Sequence, residues 1–174
     1  MFRLERKYRA KIYKELQRQR DELIETGTFI SRFEPIFSDL YRVDGLAVGT
    51  SQYNLLNGLK TGKSVSDFFS TAWRVWMEVF VKTRMAQKIV AIDTTTREAV
   101  QEVLRNNVGT PFNQIVDQLK MFDRQRAMRI SRTEVAQMAN ESQRQAAMAW
   151  KEEVGEFTMY KIWMHRGAKD PRAH

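Results

Sequence analysis

A chain of 174 residues with 43% hydrophobic content can bury an ordinary core, since a domain of roughly 150 residues removes about 70% of its unfolded surface from water. It has no cysteine, which excludes disulfides and thiolate metal sites, and no run approaches the roughly 20 apolar residues of a membrane span. The formal net charge of +8 points to acidic partners such as nucleic acid, an anionic membrane surface or an acidic protein, although a plain solvated face carries the same sign.

The first residues, Met1-Phe2-Arg3-Leu4-Glu5-Arg6-Lys7, lack the apolar centre of a secretory signal, so the expectation is a soluble protein made in the cytoplasm. From Arg3 to about Thr26, Leu4, Tyr8, Ile12, Leu16 and Leu23 recur near one helical face while Arg and Lys crowd the rest. Gly27 is the expected stop, because glycine tolerates the left-handed conformation that ends helices. Such a basic helix suits nucleic acid or a membrane surface, and its narrow stripe equally suits packing on its own protein.

An aromatic-rich segment follows from Ile30 to Tyr41, with a turn expected at Asp44-Gly45 and a short helix from Val48 to Leu59. Lys60-Thr61-Gly62-Lys63 reads as a loop. Gly62-Lys63-Ser64 imitates the end of a phosphate-binding loop, but Asn57 stands where the earlier glycine is required, so the motif is rejected. Ser66 or Asp67 then caps the most hydrophobic helix, with Phe69, Trp73, Trp76, Met77 and Phe80 on a broad face, ending near Ile89. Thr95 and Glu98 have capping-box spacing and open another helix, carrying Ala99, Val100, Val103 and Leu104. Thr110-Pro111 starts the next, with Ile115, Val116, Leu119 and Phe122 at helical spacing. Asp123 caps a last long helix from Arg124 to Glu153 that Gly155 ends. Glu156 to His165 alternates as a strand does. A lone strand is not stable in water, so its pairing partner is expected beyond His174 or in another chain.

These elements predict a mainly α fold: a multi-helix domain with a long basic N-terminal helix and a short C-terminal β segment that begins a small α+β subdomain. The expected division is an N-terminal arm and aromatic segment over 1–62, a helical core over 63–155 and a truncated strand-containing subdomain over 156–174.

Three blocks carry a resemblance. They are Ile92-Asp93-Thr94-Thr95-Thr96-Arg97; Arg129-Ile130-Ser131-Arg132-Thr133-Glu134 with Asn140 downstream; and Lys161-Ile162-Trp163-Met164-His165-Arg166-Gly167 through Pro171-Arg172-Ala173-His174. In this order the region from Ile89 to His174 resembles the phage head morphogenesis family, the minor head proteins related to the F protein of phage Mu. The resemblance covers about half of the chain, and the N-terminal half is similar only in being helical and aromatic-rich. The chain stops inside the third block, where the family continues into more strands, so a longer native polypeptide is expected.

The resemblance implies a structural virion protein of the head interior or portal vertex, present in multiple copies per particle. Its implied partners are the portal or major capsid protein and packaged double-stranded DNA. No enzyme activity, small-molecule substrate or cofactor is expected. The motif residues Arg132, Thr133, Glu134, Asn140, Trp163, His165, Arg172 and His174 are read as a buried polar cluster that locks the long helix to the terminal sheet, with a catalytic or ligand site as the alternative reading. Arg132 and Glu134 stand about 200° apart on a helix and cannot pair with each other, so each needs a partner elsewhere, with His165, Asp170, Arg172 and His174 as candidates. His165, Asp170 and His174 are valid zinc ligand types, but they straddle Gly167 and Pro171 with no helix fixing their spacing, so no metal is assigned. Arg3, Arg6, Lys7, Lys11, Arg124, Arg126 and Arg129 are the candidate contacts to DNA phosphates or an acidic protein patch.

Overall fold

The computed structural model describes residues 2–61 and 68–155, and among these all regular structure is helical. Helix α1 runs Phe2–Thr26. Its predicted stripe is buried at Tyr8, Ile12, Leu16 and Leu23, and its end falls at Gly27, which has φ 76° and donates its N–H to Leu23 O at 3.0 Å. The expected C-terminal strand, and the subdomain over 156–174 that it would begin, lie outside the described residues, as do Gly62, Lys63, Ser66 and Asp67.

Three expected breaks are continuous helix instead. Helix α2 (Phe33–Ser38) passes through a π-helical stretch (Asp39–Gly45) directly into α3 (Leu46–Thr61), so Asp44-Gly45 is not a turn, and Lys60 and Thr61 belong to the helix. Asp44 is held by the Tyr8 hydroxyl at 2.5 Å and Lys7 Nζ at 2.8 Å, a tertiary use of a side chain whose type suggested a local one. Helix α4 (Phe68–Phe80) likewise continues through a π-helical stretch (Val81–Met85) into α5 (Ala86–Asn106), so Thr95 is not a cap. It sits mid-helix and donates its hydroxyl to Ala91 O at 2.8 Å, while Thr96 does the same to Ile92 O at 2.7 Å. This back-bonding satisfies a threonine inside a helix without ending it. Finally, α6 runs unbroken over Phe112–Val154, 43 residues or roughly 64 Å, with Asp123 buried in its interior rather than capping a second helix. Gly155, φ 92°, ends it as expected.

Helix α6 is the spine. Helix α1 lies antiparallel along it, since Glu5 meets Arg132 and Arg20 meets Asp123. The main core combines Tyr8, Ile12 and Leu16 of α1, Phe33 and Phe37 of α2, and Phe69, Trp73 and Met77 of α4 around Ala127, Val135 and Met138 of α6. A smaller cluster of Leu23, Val100, Ile115 and Leu119 closes the end where α5 turns into α6. Trp76 bridges Trp73 and Phe80 with ring centroids 4.7 and 4.8 Å away, in the range where aromatic pairs add to simple burial.

Two glycines, Gly45 at the end of the π-helical stretch and Gly49 in α3, permit a close approach to α4 and α6. A Cβ on Gly49 would lie 2.2 Å from Phe69 Cζ and 3.2 Å from Ser142 O, and one on Gly45 would lie 2.8 Å from Trp73 Cζ2. Gly58, on the same helix, would meet nothing within 4 Å. Gly49→Ala should therefore lower the unfolding free energy by about 1–3 kcal/mol through overpacking. Gly58→Ala should raise it by about 0.5–1 kcal/mol through helix propensity. Urea denaturation of the two variants side by side checks both signs, and equal effects would rule out the close approach.

Candidate functional site

Among the described residues of the motif cluster, Glu134 is the one the fold buries. It sits on α6 and accepts from the Tyr41 hydroxyl at 2.9 Å and from Lys88 Nζ at 2.8 Å. Lys88 also donates to the Tyr41 hydroxyl at 3.2 Å and to Gln137 Oε1 at 2.5 Å. Burial first, and then the charge of Glu134 and its hydrogen bond, hold the Tyr41 phenol well above its ordinary value, so it stays a donor. The partners of Glu134 thus come from the π-helical stretch before α3 and from α5. The candidates expected to meet it, His165, Asp170, Arg172 and His174, lie outside the described residues, as does Trp163. Arg132 is exposed and reaches Glu5 at 3.5 Å, and Thr133 and Asn140 are exposed on the same helix. As their spacing requires, Arg132 and Glu134 pair with different partners on different faces.

Two further polar assemblies tie α1 to its neighbours. Glu15 takes a bidentate pair of hydrogen bonds from Arg18 and accepts the Arg32 N–H at 2.8 Å. Gln19 Nε2 bridges Glu15 Oε1 at 3.1 Å and Asp93 Oδ1 at 3.0 Å, and Ser31 Oγ also donates to Asp93. Burial raises the Asp93 carboxyl, the hydrogen bonds from Ser31 and Gln19 oppose this, and the charge of Glu15 adds to it. The second assembly is Arg20 Nη1 to Asp123 Oδ2 at 2.5 Å, with the Asp123 side chain fully buried. Buried, perturbed ionisable groups are where catalysis is usually sought. Here Glu15 is met by Arg18, Gln19 and the Arg32 N–H, Asp93 by Gln19 and Ser31, and Asp123 by Arg20 through Oδ2, while its Oδ1 is buried without a hydrogen-bond partner; these contacts brace helices. Among the described residues no group of three or more His, Asp or Glu is placed to hold a metal ion.

The predicted contact residues divide in two. Lys7 pairs with Asp44 at 2.8 Å and Lys11 with Asp39 at 2.7 Å, so both lock α1 to the π-helical stretch. Arg126 turns inward, donating to Ile92 O at 2.9 Å and to the Thr95 hydroxyl, and burial holds its guanidinium below the ordinary value. Arg3, Arg6, Arg124 and Arg129 are exposed. Two of these converge: Arg6 and Arg124, with Arg9, line a cleft of about 470 Å³ between α1 and α6. Ala10, Tyr13, Gln125, Ala127 and Met128 complete its lining, and Arg124 Nε donates to the Tyr13 hydroxyl at 3.4 Å. Arg9 and the small residues were not legible as site residues, because only the pairing of α1 with α6 puts them together. Compared with known proteins, the chain matches no family model, no curated protein and no solved structure.

Removing Glu134 leaves Lys88 and the Tyr41 hydroxyl without their shared acceptor. Glu134→Ala should cost about 3 kcal/mol, in the range for breaking a buried pair, and Tyr41→Phe about 1 kcal/mol. Urea unfolding checks both, and a Glu134→Ala protein of unchanged stability would show that the residue does not brace the fold.

Asp123 yields a pH prediction. Burial pushes its carboxyl up from 3.8 to about 6, against the pull of Arg20 and with a smaller push from Asp21. The folded chain therefore holds this proton more tightly than the unfolded chain does. The contribution is fully present below about pH 4 and is lost as pH rises through about 6. Relative to Asp123→Asn, which does not titrate, the parent chain should lose stability between about pH 4 and 6 and run parallel above that. Thermal melts of both proteins across this range test it, and an opposite slope would refute the raised value.

Proposed function

We propose that this chain is a minor head protein of a tailed bacteriophage, a structural part of the head interior or portal vertex that serves head morphogenesis and DNA packaging or ejection. The observation that carries the reading is the Arg132-Thr133-Glu134 block, by which the chain resembles that family, together with the use to which the fold puts Glu134. The carboxylate is enclosed by Tyr41 and Lys88 and ties three helical segments, a bracing role suited to a virion component. The exposed arginines on α1 and α6 add surface for a portal or capsid partner.

A second reading, a non-specific DNA-binding module acting in assembly, is favoured by those same exposed arginines. Phosphate contacts by four of them would give a log–log salt slope of about −4.

In nuclease-treated virions of the phage that encodes the chain, mass spectrometry should find it at low, fixed stoichiometry to the major capsid protein. Absence from mature particles, with duplex DNA binding at the steep salt slope, would replace the first reading with the second.

A further inference from the structure

Helix α1 pairs four of its eight cations with carboxylates. Lys7, Lys11, Arg18 and Arg20 each face a carboxylate at 2.9 Å or closer. Among the described residues none lies within ion-pair distance of Arg6, Arg9 or Arg124, although all three border one cleft. The cleft exists because small residues face each other there: Ala10 on α1 and Ala127 on α6 leave a gap that Met128 only partly fills. Its floor is apolar and its border is cationic.

We propose that this cleft binds an acidic, amphipathic peptide segment of a partner protein, one bulky apolar side chain seated between Ala10 and Ala127 and carboxylates a turn away on Arg6, Arg9 and Arg124. Charge complementarity selects an acidic occupant, and the guanidinium fork matches a carboxylate through two parallel hydrogen bonds. The apolar floor selects a peptide over duplex DNA. Phosphates gain nothing from apolar surface, and DNA binding favours cations spread along a track. Of the other exposed arginines in the basic stretch of α6, Arg132 pairs with Glu5 at 3.5 Å and Arg129 points about 140° away from Arg124, so α6 gives the cleft Arg124 and no continuous cationic track. A cleft of about 470 Å³ fits a large side chain with part of a helical turn, and Arg beside an apolar pocket is the composition of interface hot spots. The inference stands on the cleft alone and holds whether or not the chain enters a virion.

The test is fluorescence anisotropy with the full chain and a labelled 15-residue helix-forming peptide that carries one tryptophan flanked by glutamates. Its controls are the same peptide with glutamine for every glutamate, the same peptide with alanine for the tryptophan, and a labelled 20-base-pair duplex. The acidic peptide should bind in the micromolar range, and each peptide control should bind at least tenfold more weakly. Arg6→Glu with Arg9→Glu on α1, and separately Arg124→Glu on α6, should each weaken binding tenfold or more. Ala10→Gln, which fills the gap without changing charge, should also weaken it. These positions are exposed, so each variant should keep the parent melting temperature by circular dichroism. Three results would each overturn the proposal: no binding of the acidic peptide, binding insensitive to the tryptophan or to Ala10→Gln, or arginine-dependent binding of the duplex in its place.

Discussion

Helix α6 buries polar side chains at four points, Asp123, Ser131, Glu134 and Ser142, and how they are met fixes α1, the π-helical stretch before α3 and α5 against it. Ser131 and Ser142 are satisfied within α6, through Met128 O at 3.1 Å and Met138 O at 2.8 Å. Asp123 and Glu134 cannot be, and each demands a partner from another segment: Arg20 of α1 for one, Tyr41 and Lys88 for the other. A buried carboxylate left without its cation costs several kcal/mol, so sliding α1 or α5 by one turn along the spine is penalised in a way that sliding apolar faces is not. The two carboxylates thus set the register of the bundle, and the aromatic core fills in around that register.

The same demand explains where the sequence was readable. Helix α1 was legible because Tyr8, Ile12, Leu16 and Leu23 keep an apolar stripe at helical spacing, even though Glu15, Gln19 and Arg20 are buried beside it, and because its end is a glycine with positive φ. The aromatic face of α4 was legible for the same reason. Helix α6 was legible at its two ends and as helix on either side of Asp123, but not as one rod, because the buried Asp123 stands in its stripe and interrupts the apolar periodicity. An aspartate before a helical pattern reads as a cap when only its neighbours are known. Asp123 is instead met by Arg20, 103 positions away. The threonines of α5 misled in a related way: a hydroxyl that could cap a helix can equally bond back to the preceding turn. No glycine or proline stands between Phe80 and Asn106, and that absence was the signal for an unbroken rod.

The site followed the same rule. Glu134 was recognisable as a residue in need of a partner, since its spacing from Arg132 forbids their pairing. The identity of the partner depended on tertiary structure, and it came from the N-terminal half of the chain and α5. Among the basic residues, sequence could name candidates but could not sort them. Lys7 and Lys11 meet carboxylates of the π-helical stretch, and Arg126 meets a backbone carbonyl of α5. Arg9 escaped notice because its significance arises from Arg124, which only the antiparallel pairing of α1 and α6 brings close.

That sorting bears on what the positive charge is for. A net charge of +8 suggests a broad cationic surface; the internal ion pairs leave that net value unchanged, but they tie Lys7, Lys11 and Arg20 to carboxylates of the fold, so the excess charge falls on other cations. Like charges held close on a surface are tolerated when water screens them, at modest cost, and they become strongly favourable when an anion arrives and water leaves. Arg6, Arg9 and Arg124 occupy such a position, over a floor that is itself better covered than wet. Association at this cleft would join charge neutralisation to apolar burial in one event, and such coupling distinguishes recognition of a partner segment from general attraction to a polyanion.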